Sequence, residues 1–314
     1  MIQPNKHSCH GFILIDRRAA KRGFTLIELS IVLIIIGLVI GGVLVGQDLI
    51  TAATVRAQIS QIEKYQTAVN TFRSKYGYLP GDIPNPAATQ YGFAARGQYA
   101  GEGDGNGIIE GILNDAPNWD DGVVQGGGET GLFWQDLSTA KLIGGNFNGP
   151  TYMPMSTSVS GSALDSYLPA AKVGAGNYLY VYSSMPTSLP YYSGGIPGIN
   201  FFGITNVENL ANSLVGIPGL TVVQAYNIDK KIDDGLPQTG TVTTIYVGWA
   251  AGPTWSIGGD VMGAGPVGAF AGTVASASPT TCYDNGGNAS APMQYSIGQN
   301  NGTGINCGLS FKFQ

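Results

Sequence analysis

Histidine is nearly missing from this sequence, and charge is scarce. The only two histidines, His7 and His10, both precede residue 23. From residue 24 onward the chain therefore has no imidazole for Ser-His-Asp or Cys-His chemistry, and none for a histidine-built zinc site. Charged residues make up 11% of the 314, against about 25% in an ordinary globular domain. Together with 48 glycines, this describes a loop-rich exported surface decorated with Tyr and Ser rather than a cytosolic enzyme. Cysteine is limited to Cys9, Cys282 and Cys307. Basic residues are few and uneven: Lys6, Arg17, Arg18, Lys21 and Arg22 crowd the start, and from residue 24 on there are 10 basic against 19 acidic residues, a net charge of −9. Sequence-independent nucleic-acid binding runs on Lys and Arg, so no nucleic-acid partner is expected.

What the chain does have is one long apolar run. Residues 29–45 carry no charge and a single side-chain hydroxyl, Ser30, and with residues 24–27 ahead of them the stretch exceeds 20 residues. That is enough to cross a hydrocarbon core of roughly 30 Å as a helix. Glu28 breaks the pattern, as an ionisable group inside a membrane helix costs about 2–3 kcal/mol or more and so marks function. The basic cluster before the run predicts a cytoplasmic N-terminal side.

The sequence Arg22-Gly23-Phe24-Thr25-Leu26-Ile27-Glu28, followed directly by that run, resembles the class III signal of type IV prepilins and type II secretion pseudopilins. The resemblance implies that residues 1–23 are a leader cut after Gly23 by a prepilin peptidase, and that Phe24 becomes an N-methylated first residue. It also implies that Glu28 pairs with the Phe24 amine of a neighbouring subunit, satisfying its charge on docking. The implied partners are the peptidase, other pilin or pseudopilin subunits and an inner-membrane assembly platform. In an exported chain the remaining pair, Cys282 and Cys307, reads as a disulfide; two reduced structural thiols are the rival account. The loop it would close, about 26 residues, is worth roughly 3–3.5 kcal/mol on the chain-entropy estimate.

Beyond the apolar run the pattern turns amphipathic with no turn signal. Val55, Ile59, Ile62, Tyr65 or Gln66, Val69, Phe72 and Tyr76 recur at spacings of three and four, which predicts one helix over 24–76 with its second half under a head. Its first part, 24–46, is the anchor or filament core, 47–76 the amphipathic continuation and 77–314 the head. Gly37, Gly41, Gly42 and Gly46 weaken the helix or permit close helix packing. Gly77 is the expected C-cap.

A Gly-rich stretch follows at 101–110. Glu102, Asp104 and Asn106 at alternate positions, then Gly107 and Ile109, mimic the opening of an EF-hand-type loop. The candidate Ca²⁺ ligands are Glu102, Asp104, Asn106, Ile108 and Glu110. The first ligand is Glu rather than Asp, and Leu113 stands where the closing carboxylate belongs; Asp115 or Glu129 could substitute. The alternative is a solvated loop whose acids keep it soluble.

Further on, a helix is expected over 129–143 with Phe133, Leu137 and Ala140 on one face and Trp134 either in the core, the commoner case, or a partner contact. Residues 150–176 read as loop, and 177–183, 198–204 and 241–249 as strands. Thr221 caps a helix whose apolar face holds Val222, Ala225, Ile228 and Ile232, with Gly235 and Pro237 ending it. Asp229 and Asp233 lie one turn apart on it, either as a second carboxylate site or as a solvated face of Lys–Asp pairs. Residues 251–304 read as variable loop, and 308–314 as a final strand with Leu309, Phe311 and Phe313 together. The expected architecture is α+β and pilin-like: a long N-terminal helix packed on a mainly antiparallel sheet with long loops. The expected role is a structural, non-enzymatic subunit of a membrane-anchored filament, with a surface adhesin or carbohydrate-binding module as the alternative.

Overall fold

In a computed structural model the described residues are 24–96, 103–112, 120–121, 127–149, 158–183, 198–211, 214–248, 253–256, 276–288 and 290–314. The chain divides at Leu49/Ile50 into two units, and the fold is α+β.

One helix, Leu26–Tyr76, runs unbroken through the apolar and amphipathic stretches. Gly77 ends it at φ +81°, a left-handed conformation that glycine adopts without a Cβ penalty, and its amide donates to the Arg73 carbonyl at 2.8 Å. In the first unit the large apolar side chains from Phe24 to Leu49 are all exposed.

In the second unit the helix buries Val55, Ile62, Tyr65, Val69 and Phe72, as its spacing predicts, and Ala68 besides, while Ile59 and Tyr76 are half-buried. It also buries Gln58 and Gln61, which the apolar pattern passes over. Gln61 donates through Nε2 to the Ala170 carbonyl at 2.9 Å, and its Oε1 accepts the Lys172 amide at 3.1 Å. Gln58 Oε1 accepts the Val173 amide at 3.2 Å. The two amides satisfy backbone groups of a turn that would otherwise face the helix unpaired.

The sheet is antiparallel and built around Asn200–Leu210. Asn177–Ser183 and Val159–Ser160 pair along one side of it, while Leu309–Lys312 and Leu214–Ile217 pair along the other. Val242–Thr243 extends the sheet beyond Leu309–Lys312. The chain's last strand is thus placed beside the central one, where Phe202 stacks on Phe313 at 4.3 Å between ring centroids. Helix Gly128–Thr139 supplies Phe133, Trp134 and Leu137 to the core, and Trp134 meets Tyr65 of the long helix edge-on at 5.1 Å.

Several expectations change. Residues 241–249 do not form one strand: Thr244 donates both its amide and its hydroxyl to the Pro237 carbonyl, which splits the run into Val242–Thr243 and Ile245–Val247. The span 158–166, read as loop, holds a short strand and the 3-10 helix Gly161–Ser166. Ile232, assigned to the apolar face of helix Val222–Ile232, is exposed. That helix does start as expected, with Thr221 and Gln224 exchanging hydrogen bonds in a capping box. Within 251–304 the structure places a hairpin, Tyr283–Asp284 with Gln294–Tyr295. Cys282 and Cys307 are joined in a disulfide, with both residues fully buried.

Candidate functional site

Two places in the chain gather chemistry. The first is the N-terminal end of the long helix. Phe24 is 81% exposed. Thr25 is the helix N-cap: its hydroxyl accepts the Glu28 amide at 3.3 Å, while its own amide and hydroxyl donate to Glu28 Oε2 at 2.8 and 2.9 Å. This is a capping box with Glu28 at its third helical position. The carboxylate is therefore already hydrogen-bonded within its own chain, by neutral donors that do not cancel its charge. The signal was present as Thr25-x-x-Glu28 ahead of an apolar run. Gly23 lies outside the described residues.

Following the apolar stretch, Gly37, Gly41, Gly42 and Gly46 have no neighbour that a Cβ would approach within 4 Å. Among the described residues no packing contact requires glycine there. The apolar half of this helix buries no residue and is long and apolar enough to cross a membrane.

The second place is an acidic group in the head. Carboxylate oxygens of Asp82, Asp104 and Glu129 lie within 4.8 Å of one another. Asp82 follows the helix exit and Glu129 lies in the first turn of helix Gly128–Thr139. Helix and exit segment are pinned together by Asp136, whose Oδ2 accepts the Gly81 amide at 2.7 Å and pairs with Arg96 at 2.5 Å. Arg96 in turn donates through Nε to the Ile83 carbonyl at 3.0 Å.

The loop between them is wound so that alternate amides point inward. Gly103, Gly105 and Gly107 have φ of +77°, +81° and +85°. The Gly105 and Gly107 amides donate to the two oxygens of Asp82 at 2.7 and 2.9 Å, and the Gly103 and Glu110 amides donate to the two oxygens of Glu129 at 2.8 and 3.0 Å. At Gly103 a Cβ would stand 2.5 Å from the Ile83 carbonyl oxygen, so the close approach excludes a side chain as well. Asn200 fastens the loop to the sheet by accepting the Ile109 amide and donating to the Gly107 carbonyl.

Burial raises Asp82 to about 6, opposed in part by the two amides and reinforced by the Asp104 charge. Burial likewise pushes Glu129 well above the usual carboxylate range, and the Asp82 and Glu110 charges add to it. Three carboxylates this close, two of them buried, need a proton or a cation between them.

The predicted EF-hand-like set is only partly assembled. Asp104 joins the group, as does Glu129, the substitute ligand. Asn106 lies beside them: its amide nitrogen donates to Asp104 and to Glu110, and its Oδ1 accepts the Ile108 amide. Asp82 was not foreseen, because it lies outside the Gly-rich stretch and is brought in by the fold. Glu102, Leu113 and Asp115 lie outside the described residues.

Asp229, Asp233 and Asp234 also cluster, but each is committed to the C-terminal end of helix Val222–Ile232. Asp229 accepts from Tyr295 Oη at 2.8 Å and from the Gly235 amide at 3.2 Å. Asp233 accepts the Thr241 and Val242 amides, and Asp234 accepts from the Leu236 amide and the Thr239 hydroxyl. The expected Lys–Asp pairs do not form among the described residues; Lys230 instead donates to Tyr226 Oη at 2.9 Å.

Residues 18–44 match the family model of the prokaryotic N-terminal methylation motif, the class III signal of type IV pilins and pseudopilins. The chain matches no curated protein and no solved structure.

Proposed function

We propose that this protein is a structural, non-enzymatic subunit of a type IV pilus or type II secretion pseudopilus, held in the inner membrane until it is assembled. The observation that carries the proposal is the methylation motif at residues 18–44 running straight into an exposed apolar helix. In this account residues 1–23 are the leader, prepilin peptidase cuts after Gly23, and Phe24 becomes the methylated first residue. The segment 24–46 crosses the inner membrane once, with its N-terminal side cytoplasmic and the head, 77–314, in the periplasm. The assembly platform then moves the subunit into a fibre, where apolar side chains of 26–45 pack against those of neighbours. The open sides of the four glycines suit close helix approach in such a core. A head of roughly 240 residues is large for a bulk subunit and favours a minor or specialised one. Each oxygen of Asp82 and Glu129 accepts one backbone amide that fixes the loop, and each keeps a lone pair on its other side.

Glu28 has a donor in its own chain, so docking exchanges partners rather than rescuing a bare charge. Its carboxylate moves from Thr25 to the Phe24 amine of a neighbour, which cleavage makes available. Glu28→Ala should leave the protein processed and in the membrane but poorly assembled. Filaments at the normal level would defeat the docking role.

A second proposal concerns the acidic group: Asp82, Asp104 and Glu129 hold a Ca²⁺ ion, with loop oxygens and water completing the six to eight ligands that ion prefers. Its support is the mutual approach of the three carboxylates.

A further inference from the structure

We propose that the cavity beside the disulfide-anchored hairpin is a binding site for a neutral saccharide. The hairpin begins directly after Cys282, and its disulfide partner, Cys307, ends a strand paired with Leu220–Thr221, so both ends of the segment are fixed. Against it lies an open cavity of about 410 Å³ bordered by Asp284, Asn285, Gln294, Ser296, Gln299 and Tyr295. That size falls at the small end of ligand sites and suits one or two sugar rings.

The lining chemistry narrows the ligand class. Among the described residues no lysine or arginine borders the cavity, so an anionic group would meet no charge-assisted donor from them. A single carboxylate is too little to hold a hard cation, which wants several charged oxygens. Among the described residues the lining offers one carboxylate, three amides and the hydroxyls of Ser296 and Tyr295, the latter already donated to Asp229. This mixture of adjacent donors and acceptors matches neighbouring sugar hydroxyls, each of which both donates and accepts.

Part of the set is held ready. Asp284 Oδ1 accepts the Gly286 amide at 2.9 Å, and Oδ2 accepts the Ser296 hydroxyl at 2.5 Å. Thr281 in turn donates its hydroxyl to Ser296 Oγ at 3.0 Å. Each Asp284 oxygen keeps lone-pair capacity for a ligand, and the carboxylate need not reorganise to use it. Gln294 is exposed and Gln299 half-buried, and neither side chain has a hydrogen-bond partner among the described residues. The site needs only the folded head, so it can fail while the filament proposal stands, and the reverse.

The test is saturation-transfer NMR on the full chain in detergent. The probes are methyl β-galactoside, methyl α-glucoside, methyl α-mannoside and N-acetylglucosamine, with sialic acid as the anionic control. The expected result is transfer to at least one neutral sugar and none to sialic acid. Transfer should drop roughly fivefold or more in Gln294→Ala/Gln299→Ala, consistent with losing one or two ligand hydrogen bonds. Asp284→Asn supplies the same loss through a single isosteric change, should the double variant disturb folding. No transfer to any neutral sugar, equal transfer to sialic acid, or undiminished transfer in both variants would overturn the proposal.

Discussion

Thr25 donates its amide and its hydroxyl to the same oxygen of Glu28, at 2.8 and 2.9 Å. Glu28 therefore has two separable jobs, capping its own helix and offering a negative charge to a neighbour. Glu28→Gln retains an oxygen for the cap but removes the charge, whereas Thr25→Ala removes the cap, at about 1 kcal/mol, and leaves the charge. If charge drives docking, Glu28→Gln assembles as poorly as Glu28→Ala and Thr25→Ala is only mildly affected. Filament yield from the three variants, measured against equal membrane levels, decides it; normal filaments from Glu28→Gln would assign the residue to capping alone.

For the acidic group, the prediction is a thermal shift. A ligand present at about 100 times its Kd adds about 2.7 kcal/mol, and in a unit of this size each kcal/mol moves Tm by about 2–4 °C. Chelator should thus lower Tm by several degrees, added Ca²⁺ should restore it, and Asp82→Asn should abolish the response. An unchanged Tm after chelation would remove calcium and leave a proton shared among the carboxylates.

Asp229 gives a pH dependence of definite sign. Burial raises its folded pKa from 3.8 to about 7, despite the hydrogen bonds from Tyr295 and Gly235. Between those two values the folded state holds the proton that the unfolded state has released, so stability falls as pH rises from about 4 to about 7 and levels off above. Urea midpoints of wild type and Asp229→Asn across that range should converge at low pH and separate toward pH 7, with the variant the flatter. Parallel curves would show that Asp229 titrates normally.

Gln61 joins the long helix to the 170–172 turn through two hydrogen bonds. Gln61→Leu keeps comparable bulk and strands both backbone partners, so it should destabilise the head by about 1–3 kcal/mol. Gln61→Glu restores the acceptor for the Lys172 amide alone and should fall between. Denaturant unfolding followed by tryptophan fluorescence is the readout; no change in Gln61→Leu would mean that water replaces the amide.

Much of this architecture was legible because it repeats locally. The apolar run and the three-and-four spacing from Val55 to Phe72 write the long helix almost residue by residue, and Thr221 with Gln224 writes the start of another. Other features depend on residues far apart in sequence. Gln58 and Gln61 read as polar interruptions because their partners lie more than 100 residues away. Asp82 joined no pattern, because only the packing of helix Gly128–Thr139 on the exit segment brings Glu129 to it. The strand at 241–249 fails at Thr244 because the Pro237 carbonyl competes for its donors, a contact that alternation cannot reveal. The Thr25–Glu28 cap is spelled out locally, as Thr25-x-x-Glu28.

The most direct test of the account is mass spectrometry of the mature N-terminus, on protein recovered from membranes of cells that contain prepilin peptidase. The account predicts a chain that begins at Phe24 and carries one N-methyl group. A chain beginning at any other residue, or an unmodified Phe24, would contradict it.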